Sequence, residues 1–398
     1  VRRSLSARPR MAEKTADSED KLKTENFRYT ATCLFGLEGL LGEEIDSLGY
    51  RRVNTMDGRI TFEGDAYACC VCNINLRFAE RLYLNMGEFE ARSFDELFEG
   101  RRALPWEDII GRNDCFPVRG HSIRSKLFSV PDCQKIIKKA VAKRLGGVYN
   151  METLPETGEK YQIDFFLFKD RAALMIDLSG VPLHKRGYRP QSVAAPLRET
   201  LAAALVKLSR PREGVLLRDP FCGSGTIAIE GAMMMKNAAP GRSRNFAAES
   251  FPVFDKKLWQ TARDAAAAAE KNDINFEALG SDIDPDCAEV AKAAAARAGV
   301  EGIVRFEVGD ALELTTGGVR GTVVTNPPYG ERIMRGEVDE LYRRMGKAWQ
   351  SLDRWQLYIL TSHPDFQRLF GRRADKVRKL YNGMIPCNFY QYFKNGKK

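Results

Sequence analysis

Asn326-Pro327-Pro328-Tyr329 combines a side-chain amide, two prolines and an aromatic ring in four residues. The prolines remove backbone donors and stiffen the turn. The Asn326 side-chain oxygen can accept one proton of a planar amine, and the Pro327 carbonyl can accept the other. That pairing aims the nitrogen lone pair at an electrophile, so positioning supplies most of the rate. Tyr329 can stack on a base, a contact of roughly 1–3 kcal/mol. The tetrad suits an exocyclic base nitrogen, whose lone pair is delocalised and barely nucleophilic.

Upstream stands Asp219-Pro220-Phe221-Cys222-Gly223-Ser224-Gly225-Thr226, after a strand-like run and before a helix-like one. Gly223 and Gly225 allow a tight turn, and the helix starting at Thr226 would direct backbone N–H groups into a crevice. The loop lacks the lysine of a P-loop and the third glycine of a dinucleotide fingerprint. Downstream, Asp282 ends a second strand, where a carboxylate can accept ribose hydroxyls, and Asp284 suits a cap before Pro285. Asp310 follows a third strand and could accept from an adenine amino group. Asp219, Phe221, Cys222, Gly223, Gly225, Thr226, Asp282 and Asp310 are therefore the candidate cofactor residues. Together with Asn326, Pro327, Pro328 and Tyr329 they point to methyl transfer from S-adenosylmethionine. A thiolate mechanism through Cys222 or Cys387 would need a proline-cysteine nucleophile turn; packing is the reading for both.

The chain has 398 residues, 44% hydrophobic, with net charge +9 and pI near 9.0. That length predicts two or three units, and the charge leans toward a polyanionic partner. Nine cysteines and three histidines show no zinc spacing, so no metal site is expected and the thiols read as reduced, in the cytoplasm. No apolar run approaches a membrane span. Residues 1–26 read as a disordered basic and polar extension, with Met11 a candidate start. The expected protein is a cytoplasmic monomer without membrane attachment.

Apolar spacing predicts strands over 29–34, 59–63 and 81–88 with helices over 37–48 and 66–75, a small α+β unit across 27–90. In a second unit, 91–180, strands are expected over 115–123, 161–169 and 172–178. There Asp132 would cap a helix running to Arg144 that Gly146-Gly147 stops. Prolines and Gly187 make 181–196 a connector. From 197 to 398 strands and helices alternate: helices over 197–208, 226–235, 286–298 and 338–352, strands over 214–218, 278–282, 304–308, 321–325 and 356–360. This is the signature of a doubly wound parallel sheet.

These segments resemble the THUMP-domain RNA methyltransferases, most closely the 23S rRNA guanine-N2 enzymes. The resemblance rests on Asp219–Ala232 (DPFCGSGTIAIEGA), Asn326–Arg332 (NPPYGER), Lys379–Gly383 (KLYNG), Ala195–Leu201 (APLRETL), and Ala239–Gly241 with the aromatic stretch Phe246 to Trp259. It implies a Rossmann-like class I methyltransferase domain behind a ferredoxin-like and THUMP module. It also implies S-adenosylmethionine as donor and ribosomal RNA, or a precursor large subunit, as substrate. Some relatives are fused to a second methyltransferase domain; with the chain ending at Lys398, a second activity is not expected.

From Arg119 to Arg144 there are eight Lys/Arg residues against one acid, Asp132. Arg119, Arg124, Lys126, Lys135, Lys138, Lys139 and Lys143, with Lys185, Arg186 and Arg189 of the connector, are the candidate phosphate contacts. The tetrad also suits an adenine-N6 methyltransferase on RNA or DNA, and a non-catalytic RNA-binding assembly factor is the reading from another class.

Overall fold

A computed structural model describes residues 26–189, 197–329, 335–352 and 355–393. Two seven-stranded sheets organise it. The first is built from β1 (Phe27–Thr32), β2 (Arg51–Met56), β3 (Arg59–Gly64), β4 (Arg81–Glu90), β5 (Val118–Ile123), β6 (Ile163–Phe168) and β7 (Arg171–Asp177). Their order is β2-β3-β1-β4-β7-β6-β5, antiparallel except for the β5/β6 pair. The 27–90 and 91–180 units thus share one continuous sheet, joined by the β4–β7 ladder.

Helix α1 (Glu38–Ser47) packs Leu40, Leu41 and Ile45 inward, and Leu37 caps that stripe. Asp65 caps α2 (Ala66–Asn75), whose Cys69, Cys70 and Cys72 lie in the core. Two further helices, α3 (Phe94–Arg102) and α4 (Val130–Tyr149), complete this half.

The expected 132–144 helix is longer at both ends. Ser129 occupies the N-cap position, Pro131 and Asp132 fall in the first turn, and Asn150 in the left-handed region ends the helix. Gly146-Gly147 does not stop it. A Cβ at Gly146 would lie 2.7 Å from the Met151 carbonyl, so that glycine lets the returning chain close against the helix.

The second sheet contains β8 (Leu216–Asp219), β9 (Ala278–Asp282), β10 (Val304–Val308), β11 (Gly321–Thr325), β12 (Gln356–Thr361), β13 (Lys376–Asn382) and β14 (Ile385–Tyr392). Its order is β10-β9-β8-β11-β12-β14-β13. The first five strands are parallel, and a C-terminal antiparallel hairpin, β13–β14, makes the sheet mixed. Helices α5 (Glu199–Ser209), α6 (Thr226–Met235), α7 (Lys256–Ala268), α8 (Pro285–Ala298), α9 (Arg335–Ala348) and α10 (Phe366–Phe370) accompany it. The chain runs outward from β8 through β9 to β10, then returns to β11 on β8's other side. The β8/β11 seam is therefore the topological switch point, where open sheets of this kind bind ligands.

The described part of the connector, 181–189, is not a solvated linker: Leu183, Arg186 and Tyr188 are buried. Pro190 to Pro196 lie outside the described residues. No described helix is long and apolar enough to cross a membrane.

Candidate active site

The carboxyl ends of β8, β9, β10 and β11 surround a cavity of about 520 Å³, a volume typical of small-molecule sites. Asp219, Phe221, Cys222, Gly223, Thr226, Asp282, Asp310, Asn326 and Pro328 all line it. Residues far apart in the chain meet here because each follows or ends a neighbouring strand.

Asp219 ends β8 and is buried. Its Oδ1 accepts from Thr325 Oγ1 at 2.7 Å and from the Phe221 N–H at 3.3 Å. One carboxylate therefore ties the strand before the glycine loop to the strand before the tetrad. Burial pushes its pKa up to about 7 against these hydrogen bonds.

The loop is fixed by Cys222 N–H donating to Ser281 O (2.9 Å) and Gly223 N–H donating to Asp282 Oδ2 (2.9 Å). Its two glycines do different things. Gly225, at φ +77°, has no room for a side chain: a Cβ would stand 2.5 Å from the Phe306 ring. A Cβ at Gly223, φ +49°, would meet nothing within 4 Å, so there the backbone opens toward the cavity. Cys222 is buried, and burial raises its thiol pKa, which suits packing and not nucleophilic attack.

Asp282 Oδ1 accepts from the Asp284 N–H at 3.2 Å, and Asp310 Oδ1 accepts from the Leu312 N–H at 2.8 Å. These bonds orient both acids at the cavity wall. Asp284 caps α8 through the Asp286 N–H, as the sequence suggests. Ile283 is a residue the sequence reading missed: 73% exposed, it lines the cavity beside Asp282 and offers a planar ring an apolar face. An isoleucine facing solvent directly after a strand-end acid is the signal that could have revealed it.

In the tetrad, Asn326 Oδ1 is buried and has no hydrogen-bond partner among the described residues. An orphaned buried acceptor costs roughly 1–3 kcal/mol, so this atom is suited to meet a donor that the fold itself does not provide. The Pro328 carbonyl accepts from Tyr342 Oη at 3.0 Å; Tyr342, fully buried on α9, also meets Thr361 Oγ1 at 2.9 Å. Pro327, unlike Pro328, does not line the cavity. Tyr329 is 9% exposed, and its hydroxyl accepts from Asn382 Nδ2 at 3.0 Å and Cys387 Sγ at 3.6 Å. The expected stack on a base thus has little free ring face to use, because the β13–β14 hairpin holds the phenol. Asn382 and Tyr342 were not anticipated; Asn382 lies in the KLYNG segment, and Cys387 packs as expected while meeting Tyr329. Gly330, Glu331 and Arg332 lie outside the described residues.

The basic candidates divide. Arg124, Lys126, Lys135, Lys139, Lys143 and Lys185 are exposed. Arg119 instead chelates Asp164 at 2.8 and 3.0 Å and reaches Asp177 at 3.0 Å. Lys138 pairs with Glu156 and sits 3.7 Å above the Phe116 ring. Arg186 is buried against Glu230 at 3.4 Å and donates to the carbonyls of Leu183 and Arg77. Arg189 donates to Leu197 O (2.8 Å) and Thr226 Oγ1 (3.0 Å), close to Glu199. These four differ from the exposed cations in that carboxylates, carbonyls or a hydroxyl of the fold already engage part of their donors.

A cofactor carrying a ribose, a ring and an amino-acid end fits this cavity: acids fixed at its wall, an apolar flank and an open glycine backbone. S-adenosylmethionine has these three parts, and Gly223, Asp282, Ile283 and Asp310 line the cavity where it would fit.

Three family descriptions match the chain: an RlmL ferredoxin-like domain over 28–83, a THUMP domain over 91–177, and an RMKL-like methyltransferase domain over 186–391. YpsC of Bacillus subtilis (strain 168), provisionally described as an RNA methyltransferase, is 42% identical over 92% of this chain and 96% of its own length. The ribosomal RNA large subunit methyltransferase K/L of Psychromonas ingrahamii is 34% identical over 90% of this chain. That match covers 49% of the relative, so the chain spans about half of it. Among solved structures, SMU.472, a provisionally described methyltransferase complexed with SAH, superposes with TM-score 0.88 at 38% identity, covering 94% of this chain and all of that one. A predicted N6-adenine-specific DNA methylase from Listeria monocytogenes does so with TM-score 0.88 at 40% identity, covering 94% and 98%. Matched over more than half its length and to a relative of nearly equal extent, the chain belongs to the family of RMKL-like methyltransferases with RlmL-type ferredoxin-like and THUMP domains.

Proposed function

We propose that the chain methylates the exocyclic N2 of a guanine in large-subunit ribosomal RNA. The observation that carries methylation of a base amine is the buried Asn326 Oδ1, unpartnered among the described residues, at the cofactor cavity. S-adenosylmethionine supplies an electrophilic methyl group when bound. Asn326 accepts a hydrogen bond from the target amine, which turns the lone pair out of conjugation. Tyr342 holds the Pro328 carbonyl and Asn382 holds Tyr329, so the tetrad keeps its shape while the base arrives. The amine proton becomes acidic as the new N–C bond forms, and water suffices to take it.

RNA as substrate is supported by the THUMP module, the exposed cations of α4 and the relatives named for RNA methylation. The name of the K/L relative supports the large subunit, and the resemblance of the motifs supports guanine N2. Adenine N6 is the second reading, favoured by the name of the Listeria monocytogenes structure. A tritiated-methyl assay on ribosomal RNA from a strain lacking the gene tests the Asn326 role. Asn326→Ala should lower kcat about 100-fold with unchanged S-adenosylhomocysteine affinity by calorimetry. Full activity in that variant would refute it.

A further inference from the structure

The hairpin that anchors Tyr329 also carries an apolar tip in open solvent. Met384 is 94% exposed and Ile385 49% exposed. Ile385 is the register partner of Asn382, so it stands on the face of the hairpin that reaches the tetrad. Next to the tip, Tyr381 meets Phe35 edge-on, with ring centroids 5.8 Å apart, and Phe35 is itself 53% exposed.

Phe35 comes from the other sheet, on the loop between β1 and α1, and that loop is pinned. The Glu38 carboxylate accepts from the N–H groups of Gly36 (2.9 Å) and Gly58 (2.8 Å), and Cys33 N–H donates to Gly58 O at 2.9 Å. Gly36 adopts φ +91°, and a Cβ there would stand 3.0 Å from Lys379 O, so loop and hairpin edge are in direct contact. A fixed loop holding a phenylalanine in water contributes little to folding; contiguous exposed apolar groups mark interaction sites.

The surroundings define the occupant. From Lys376 to Phe393 there is no acidic residue, and Lys376, Arg378 and Lys379 line the outer strand. The Lys379 ammonium lies 5.6 Å from the Tyr381 ring centroid. Flat apolar faces among cations that pair with no carboxylate among the described residues match unpaired nucleotides, whose bases stack while their phosphates seek charge. The position beside the tetrad gives them a purpose. Extruding a base removes a stacking face from its neighbours, a loss of a few kcal/mol.

We propose that Phe35, Tyr381, Met384 and Ile385 form a platform on which the unpaired nucleotides flanking the target base stack. The proposal rests on the RNA reading above and adds where the strand lies. Anisotropy with a fluorescein-labelled 12-nucleotide single-stranded RNA and the full chain tests it. Phe35→Ser should weaken binding about tenfold and Met384→Ser several-fold, with an unchanged salt slope. Lys379→Ala should instead reduce the slope by about 0.7. Met384 is almost wholly exposed, so its variant folds and remains informative even if Phe35→Ser does not. Unchanged affinity in Met384→Ser and in a folded Phe35→Ser variant would overturn the platform. So would an equal loss with an RNA duplex, because stacked bases offer no free face. Binding and reaction separate cleanly: a platform that binds without methyl transfer would refute the reaction, and methyl transfer with unaltered binding in the variants would refute the platform.

Discussion

The arginines between the two sheets and the lysines along α4 are chemically alike and stand in opposite settings. Arg77 and Arg186 are buried around Glu230, with Arg186 at 3.4 Å and Arg77 at 3.7 Å from its carboxylate. Arg77 donates to Ala238 O and Arg186 to Arg77 O, so the two cations lace the N-terminal module, the connector and α6 together. Tyr188 completes the group by donating to Glu230 at 3.1 Å. On α4, Lys135, Lys139 and Lys143 face water while Cys133, Ile137, Ala140, Val141 and Leu145 face the core. A buried cation is committed to its carboxylate because removing either partner strands a charge. An exposed one keeps its counterions and can release them to a phosphate.

The largest expected effect lies in the seam. Arg186→Met should destabilise the protein by about 3–5 kcal/mol, read as a lower denaturant midpoint, and adding Glu230→Gln should restore part of that loss. An unchanged midpoint would erase the distinction between the two sets of cations. Next in size, replacing Lys135, Lys139 and Lys143 together by alanine should reduce the salt slope of RNA binding by about 2–3, with stability changed by no more than about 0.5 kcal/mol. A triple variant that binds RNA with the original slope would move the phosphate path elsewhere.

A third effect is in pH. Burial pushes the pKa of Asp219, and of Glu44 beside the seam, up to about 7. A carboxyl whose folded pKa exceeds its unfolded one holds more protons when folded, so stability falls as pH rises from about 4 to about 7. Asp219→Asn should remove part of that fall and leave the Glu44 part. Thermal midpoints across this range should therefore decline less steeply in the variant; identical slopes would contradict the assignment.

What the sequence shows depends on the range of the forces involved. Helix α2 and the loop from Asp219 to Thr226 are legible because capping, glycine conformation and apolar spacing act within a few residues. Strand β2 is missed because all six of its side chains are exposed and carry no alternation. The β13–β14 hairpin is missed because its outer strand is charged, as edges often are, and Pro386 interrupts its partner. The fate of Arg186 depends on Glu230, 44 positions away, and nothing local distinguishes it from Lys185. Likewise the tetrad's chemistry can be read from four residues, whereas its supports, Tyr342 and Asn382, become visible only once the strands assemble.

We propose that Asn326 presents an exocyclic base amine to the methyl donor, and that the base is guanine. The most direct test is nucleoside analysis of ribosomal RNA, from a strain lacking the gene, after incubation with the full chain and labelled S-adenosylmethionine. Label is expected in N2-methylguanosine and should be lost with Asn326→Ala. Label in N6-methyladenosine, or in a ring-carbon methyl pyrimidine, would contradict it.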